Sequence, residues 1–316
     1  MLLLQSGCTA YPYRKANVLI PDAHGGGHSL AISPDSSRLS SGSWSGRISI
    51  WRLPDGAHQY GWQAHAGDVT GLSYVGSGRL LSAGFDGRLI EWTPTGKILN
   101  NVETSSPVTA MAVDVARQMV LTGHADGSLQ LRPISGLSPA RILGLHEGRV
   151  RAVAIAPDGA SFASSATDGT VKIWTLDGGV TDLAKPGSDA RTLVFSPQGR
   201  QLYGAGWFHL FRWDLRRGEL ATLDTDHYGI INSILFDPEG RYLASISRQT
   251  DSSVLFLDPR NGRTIRRFQP HKLCGGVVVI SSDGRTMATT SDDASVMIWH
   301  LEAVREPEAA AGHHGS

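Results

Sequence analysis

The sequence predicts an all-β protein, a seven-bladed β-propeller made of four-stranded antiparallel blades. One observation is that the stretch His146–Leu176 reads as strand, turn, strand, turn, strand, with a loop in front that begins at the histidine. Another is that its strand end, V-K-I-W, recurs at intervals of 39 to 44 residues, at Trp51, Trp92, Arg132, Trp174, Trp213, Leu257 and Trp299. A period of about 40–45 residues with four strands per unit is typical of propeller blades.

Local signals within His146–Leu176 support the three strands. Val150–Ala156 alternates apolar residues with others, Ser161–Ala166 is small and tolerates extended backbone, and Val171–Trp174 is β-branched and aromatic. Between these runs lie Asp158-Gly159 and Asp168-Gly169, and the Asp-Gly dipeptide is a strong signal for a tight turn between strands. We expect the outermost strand of each blade to follow the strand that ends at the tryptophan position.

The ends of the chain predict how the ring of blades closes. Lys15–Ile20 is strand-like and precedes the first unit, whereas the last unit is followed by an Ala-, Glu- and Pro-containing tail, which is poor strand material. Lys15–Ile20 is therefore expected to supply the outer strand of the seventh blade, which removes the open edge between the first and last blades. The predicted domains are a tail at 1–14, the propeller at 15–301 and a flexible tail at 302–316.

A His, a Ser or Thr, an Asp and a Trp recur at matching positions of three units. They are His65, Ser82, Asp86 and Trp92 in the second unit, His146, Ser164, Asp168 and Trp174 in the fourth, and His271, Thr289, Asp293 and Trp299 in the seventh. The corresponding residues of the remaining units, which keep only part of this set, are His24, Ser41, Ser45 and Trp51 in the first, Thr104, Thr122, Asp126 and Arg132 in the third, Pro186, Trp207 and Trp213 in the fifth, and His227, Ser247, Asp251 and Leu257 in the sixth.

These units resemble the repeats of the WD-repeat family of β-propellers, over about residues 15–301. The resemblance implies that the four side chains hydrogen-bond in sequence within each blade. A half-buried Asp in a tight turn needs donors, which His and Ser or Thr supply while the Trp covers the site. We therefore predict that these sets are structural rather than catalytic.

Composition excludes several classes of function. Lys and Arg together number 29, as do Asp and Glu, so no net charge attracts the protein to nucleic acid or to an anionic membrane. Two cysteines cannot form a disulfide framework, and no run of 18 or more apolar residues exists that could span a membrane.

The N-terminus leaves two interpretations open. Leu2-Leu3-Leu4 followed by Gln5-Ser6-Gly7-Cys8 resembles the end of a bacterial lipoprotein signal, which would place a lipid anchor on Cys8 and the protein in the cell envelope. Against this, a signal peptide needs a charged start and a longer apolar core, so the alternative is a short tail with a free thiol on a cytoplasmic protein.

The sequence contains no recognisable catalytic or cofactor motif. It has no glycine-rich phosphate loop leading into a helix, no C-x-x-C pair, no H-E-x-x-H and no G-x-S-x-G. We therefore expect no cofactor, no metal and no enzymatic activity.

What remains is binding. In the family that the chain resembles, partners usually dock on the face that carries the His loops and the Asp turns. Carried over to this chain, the positions predicted to bind a partner there are Trp44, Asp68, Phe85, Arg149, Arg151, Arg191 and Asn232. Aromatic residues beside arginines have the composition of a binding hot spot.

The function predicted is a non-catalytic scaffold that binds another protein, through an acidic or aromatic-binding segment, as an accessory subunit of a larger complex, an envelope complex if Cys8 is lipidated. The alternative is a propeller enzyme or ligand-binding protein that uses the central channel. It requires convergent acids, bases or ligands facing the axis. The inner-strand runs Ala152–Ala156, Leu193–Ser196 and Val277–Ser281 are instead small and apolar.

Overall fold

A computed structural model of the chain describes residues 13–23, 25–76, 78–249 and 251–301. Within these ranges the backbone forms strands, turns and loops without a helix, and hence without any helix long and apolar enough to cross a membrane. Cys8, His24, Thr250 and the predicted tail 302–316 lie outside the described residues.

The described residues form seven four-stranded antiparallel sheets, which confirms the predicted propeller. The chain opens with β1 (Val18–Ile20), and the first three blades are then β2 (Ser29–Ile32), β3 (Arg38–Gly42), β4 (Arg47–Arg52) and β5 (His58–Gln63); β6 (Val69–Val75), β7 (Arg79–Gly84), β8 (Arg88–Trp92) and β9 (Ile98–Glu103); and β10 (Val108–Asp114), β11 (Met119–His124), β12 (Ser128–Pro133) and β13 (Arg141–Leu145).

The remaining blades follow the same order from inner to outer strand, except that the last one takes its outer strand from the start of the chain. Their strands are β14 (Val150–Ile155), β15 (Ser161–Ala166), β16 (Val171–Thr175) and β17 (Val180–Asp182); β18 (Thr192–Phe195), β19 (Gln201–Ala205), β20 (His209–Asp214) and β21 (Glu219–Asp224); β22 (Ile230–Phe236), β23 (Leu243–Arg248), β24 (Val254–Leu257) and β25 (Thr264–Phe268); and β26 (Gly275–Ile280), β27 (Thr286–Ser291), β28 (Val296–His300) and β1.

The ring closes through β1, as the sequence predicted. β1 pairs antiparallel with β28, with Leu19 opposite Met297, and it is shorter than the predicted run because it begins only at Val18. Arg14, which lies before β1 in the chain, adds a second link. Its carbonyl accepts hydrogen bonds from the backbone N–H of Gln269 at 2.9 Å and from the indole N–H of Trp299 at 3.2 Å. The start of the chain thus ties the sixth blade to the seventh.

The hydrophobic core is divided among the seven gaps between neighbouring blades. Each gap holds one cluster of buried side chains among the described residues, such as Phe195 and Trp213 with Ala154 between blades four and five. Because every sheet is covered on both faces, inner strands do not alternate between buried and exposed residues. β27, with the sequence TMATTS, is buried at all six positions.

Candidate functional site

The recurrent His, Ser or Thr, Asp and Trp residues form hydrogen-bonded sets in the blades. In blade two, Ser82 Oγ lies 2.7 Å from His65 Nε2 and 2.8 Å from Trp92 Nε1, while His65 Nδ1 lies 2.9 Å from Asp86 Oδ1. Asp86 also accepts the backbone N–H of Ala66 at 2.9 Å. The loop before the blade, the second strand and the third strand are therefore joined through one buried hydroxyl.

Blade four repeats this set with one difference. Ser164 Oγ lies 2.6 Å from His146 Nε2 and 2.7 Å from Trp174 Nε1. His146 Nδ1 is 3.6 Å from Asp168, and the hydroxyl of Thr170 lies between them, 2.8 Å from His146 and 2.6 Å from Asp168.

Blade seven differs at its tryptophan. His271 Nε2 lies 2.7 Å from Thr289 Oγ1, and the hydroxyl of Ser295 contacts both His271 and Asp293. Trp299, however, donates its indole N–H to the carbonyl of Arg14 and not to Thr289. The N-terminal segment provides an acceptor for this tryptophan that the other complete blades do not have.

In blade six the structure corrects the hydroxyl of the set. His227 Nε2 lies 2.8 Å from Ser245 Oγ, whereas Ser247 donates its hydroxyl to Asp251. The turn between β23 and β24 is longer than the corresponding turns, with Gln249 at a positive φ of 75°. Because of this longer turn, the spacing counted back from Asp251 pointed to Ser247, whereas Ser245 is the residue that faces His227.

Blades three and five replace the set by other contacts. In blade three, His124 on β11 takes the place expected for Thr104, with its Nε2 2.9 Å from Thr122 Oγ1, and Arg132 in the tryptophan position is buried and bonded to Gln130. In blade five, Gly204 stands where a hydroxyl would be, and Trp213 donates to the carbonyl of Ala184 at 2.8 Å.

Burial lowers the pKa of His65, His124 and His146 below that of an unfolded histidine. The three histidines therefore bind a proton less tightly in the folded state than in the unfolded chain. Their contribution to the free energy of unfolding is complete above about pH 6.5 and is lost as the pH falls through the lowered pKa values. Asp86 and Asp168 also have lowered pKa values, but their contribution is lost only below the usual carboxylate range.

We accordingly expect the free energy of unfolding to fall between about pH 7.5 and pH 5. Urea denaturation across this range measures the slope, and His146→Gln should make it shallower because one buried histidine no longer titrates. A slope that is the same in the wild type and this variant would contradict the assignment.

Seven residues, one per blade, surround the mouth of the central channel. The turns after the second strands and the connections between blades lie at this end of the antiparallel sheets, which we call the top face. The mouth is a cavity of about 210 Å³, and the seven equivalent positions are His28, Thr70, Thr109, Arg151, Arg191, Asn232 and Gly276.

The aromatic and arginine residues predicted to bind a partner all lie on the top face. Trp44 and Phe85 are each 42 % exposed. The guanidinium of Arg149 lies over the Phe85 ring, 5.4 Å from its centroid, and that of Arg151 lies 3.4 Å from Asp189. The structure thus places Arg149 with Phe85, and Arg151 with Arg191 at the mouth.

The two other residues predicted to bind a partner, Asp68 and Asn232, make contacts within and between blades. Asn232 donates its side-chain amide to the carbonyl of Gly276 at 2.8 Å, which links blades six and seven. The backbone N–H of Val69 donates to the carbonyl of Ser43, and that of Phe85 donates to the carbonyl of Asp68. Asp68 therefore lies between the turns that carry Trp44 and Phe85. Burial raises the pKa of Asp68, and its buried Oδ1 has no hydrogen-bond partner among the described residues.

Sequence reasoning missed two features of the top face. Arg248 bonds to Asp292 at 3.0 Å, and the same carboxylate lies 2.9 Å from His28. Trp207 and Phe208 form an exposed pair in the blade-five turn, where Phe208 has a positive φ of 63°. The signal for the aromatic pair was present, since Trp207 and Phe208 stand in a turn where the other blades have at most one aromatic residue.

Little in the structure favours chemistry in the channel. The floor of the mouth is made of small or apolar residues such as Ala110, Ala152 and Val277. Among the described residues, no group of three or more His, Cys, Asp or Glu is arranged to hold a metal ion.

Comparison with known proteins adds a family and several distant relatives. The family model described as WD domain, G-beta repeat matches residues 17–52, 56–93, 137–175 and 262–300. The four matched segments contain the strand ends at Trp51, Trp92, Trp174 and Trp299. The units that diverge most from the repeat pattern are not matched.

Three curated relatives span most of this chain. Protein HIR1 of Kluyveromyces lactis is 22% identical over 89% of this chain and 22% of its own length. Periodic tryptophan protein 2 of Arabidopsis thaliana is 28% identical over 76% of this chain and 30% of its own. Ribosome biogenesis protein YTM1 of Chaetomium thermophilum is 22% identical over 91% of this chain and 60% of its own. The chain therefore spans less than two thirds of each relative.

Proposed function

Because the chain belongs to the WD-repeat family of β-propellers, we propose that it is a non-catalytic scaffold that binds an acidic segment of a partner protein on its top face. One of the three relatives, YTM1, is named as a ribosome biogenesis protein, and at 22–28% identity none of the three identifies the partner of this chain. In this proposal the protein acts as an accessory subunit of a larger complex.

The observation that carries the proposal is the juxtaposition of exposed aromatic rings and guanidinium groups around one opening. Trp44 and Phe85 supply apolar contact area, and Arg149, Arg151 and Arg191 supply positive charge next to it. Aromatic residues and arginine are the types that dominate binding energy at protein interfaces. Acidic groups of the partner would complement the arginines and orient the encounter.

The envelope complex and the lipid anchor at Cys8 remain predictions, since Cys8 lies outside the described residues. Intact-mass measurement of the protein purified from solubilised membranes distinguishes a lipidated from a free cysteine. A free thiol on the purified protein would remove the reason for placing it in the envelope.

The double variant Arg149→Glu/Arg151→Glu is expected to reduce capture of an acidic partner at least about tenfold, because charge reversal replaces attraction by repulsion. Quantitative mass spectrometry after affinity capture from native extract measures the loss. The matched control is Arg216→Glu/Arg217→Glu, which reverses two exposed arginines in the turn between β20 and β21, at the opposite end of blade five.

Equal capture by the two double variants would rule out the top-face arginines as the binding site. The thermal midpoints of both variants should remain close to that of the wild type, since the four arginines lie at or near the surface.

A further inference from the structure

Four of the seven residues that surround the channel mouth occupy a special backbone position. In blades two, three, four and six, the pairing of the first and second strands shifts by one residue there, at Thr70, Thr109, Arg151 and Asn232. Such a β-bulge turns a side chain away from the regular ladder. In these four blades the bulge directs one side chain to the opening of the channel.

Three of these side chains link one blade to the next. Thr70 donates its hydroxyl to the carbonyl of Val108 at 2.9 Å, and Thr109 donates to the carbonyl of Val150 at 2.8 Å. Asn232 donates to Gly276 in the same way. A short polar side chain is therefore enough for the structural task at this position.

The side chains of Arg151 and Arg191 are longer than this structural role requires, and they are charged. Arg151 reaches only Asp189, at 3.4 Å, and its buried Nε has no acceptor in the part of the chain that the structure describes. Arg191 makes no side-chain hydrogen bond or ion pair with any described residue. Burial lowers the pKa of Arg191, and so does the positive charge of Arg151 and Arg248 beside it, while the carboxylate of Asp189 acts in the opposite direction. The half-buried Arg191 guanidinium thus lies near two like charges and near the carboxylate of Asp189, which bonds to Arg151 and not to Arg191.

The charges around the mouth leave an excess of positive charge. Arg151, Arg191 and Arg248 face the carboxylates of Asp189 and Asp292, and Asp292 is shared between Arg248 and His28. On the outer side, burial and the charge of Arg151 lower the pKa of Arg149, while the nearby Asp68 acts in the opposite direction. One oxyanion would neutralise the remaining cation and supply acceptors for guanidinium N–H groups.

We propose that the channel mouth is an oxyanion site, in which Arg191 and Arg151 bind one carboxylate or phosphate group carried by a side chain of the partner's segment. The proposal rests on the proposed function and makes it more specific, because it assigns the anion to Arg191 and Arg151 and leaves Arg149 with the aromatic residues. Guanidinium groups bind both kinds of oxyanion through paired hydrogen bonds. The cavity of about 210 Å³ is large enough to hold the end of one side chain.

The experiment uses the full chain and fluorescein-labelled heptapeptides that are degenerate except for a fixed central residue, which is Glu, phosphoserine or Gln. Fluorescence anisotropy measures binding to the wild type and to Arg191→Gln, Arg191→Lys and the control Arg216→Gln. We expect the Glu and phosphoserine pools to bind at least about tenfold more tightly than the Gln pool, and Arg191→Gln to remove that preference. Arg191→Lys should keep part of the preference because it keeps the charge, and Arg216→Gln should keep all of it.

Inorganic phosphate is the second probe, added as a competitor at constant ionic strength. Displacement of the acidic pools at millimolar phosphate, weakened in Arg191→Gln, supports a site for an oxyanion group. Binding of phosphate without any preference for acidic peptides would overturn the proposal, because the site would then serve a free anion.

The proposed function can fail separately. If Arg191→Gln removes the peptide preference but Arg149→Glu/Arg151→Glu captures its partners as the wild type does, the oxyanion site stands without the scaffold role assigned to it. If the double variant loses its partners while Arg191→Gln binds all peptide pools like the wild type, the top-face scaffold stands and the assignment of Arg191 is wrong.

Discussion

Deletion of residues 15–20 is expected to destabilise the propeller by more than about 4 kcal/mol, or to prevent folding altogether. The deletion removes β1 and exposes the edge of β28. It also removes Val18 and Ile20 from the cluster between blades seven and one, where they pack against Trp51 and Ile298. Loss of one buried aliphatic side chain costs about 2–5 kcal/mol, and here the backbone pairing is lost as well.

Urea denaturation followed by tryptophan fluorescence measures this effect. Two point variants separate side-chain packing from the loss of the strand: Ile20→Ala should cost about 2–4 kcal/mol because Ile20 is buried, while Leu19→Ala should cost under about 1 kcal/mol because Leu19 is half exposed on the same strand. Deletion of residues 302–316 is expected to leave the midpoint unchanged. A similar loss of stability in both deletions would show that closure by β1 is not what matters.

Replacement of Ser164 by Ala is the second variant with a large expected effect. One hydroxyl serves both His146 Nε2 and Trp174 Nε1, and all three side chains are almost completely buried. Without it, two polar atoms lose their partner in a place that water does not reach. Each such buried group costs about 1–3 kcal/mol, so we expect a loss of roughly 2–4 kcal/mol.

The matched control is Ser282→Ala, since Ser282 is exposed and bonds only to the carbonyl of Pro34 at 3.2 Å. It should change the free energy of unfolding by less than about 0.5 kcal/mol. Native-state hydrogen exchange gives a second test: in Ser164→Ala the amides of β15 and β16 should exchange faster than those of blade two. Uniform acceleration in every blade would mean that the set does not act locally.

The repeat itself could be predicted from the sequence because its signals are local. Asp-Gly turns, short apolar strands and the terminal tryptophan are set by the few residues next to them in the chain. The closing strand could also be predicted, because a ring of seven sheets with a missing outer strand has only one strand-like segment left to fill it.

The contacts within the sets were less predictable. Ser245 replaces Ser247 because a longer turn changes the count, and His124 occupies its site from a strand that sequence spacing does not single out. Trp299 bonds to Arg14, which is 285 residues away in the chain. No pattern within one unit contains that information.

The sequence by itself determined the number of blades, their strand order and most of the side chains that form the buried sets of blades two, four and seven, because these depend on local periodicity and turn chemistry. Only the tertiary structure decided that Arg151 and Arg191 line one mouth with Arg248 beside them, and that Arg149 lies over Phe85. These residues come from different blades, and their proximity follows from the closure of the ring. A sequence lists the charges, whereas the geometry of the closed ring determines which of them remains without a bonded counter-ion.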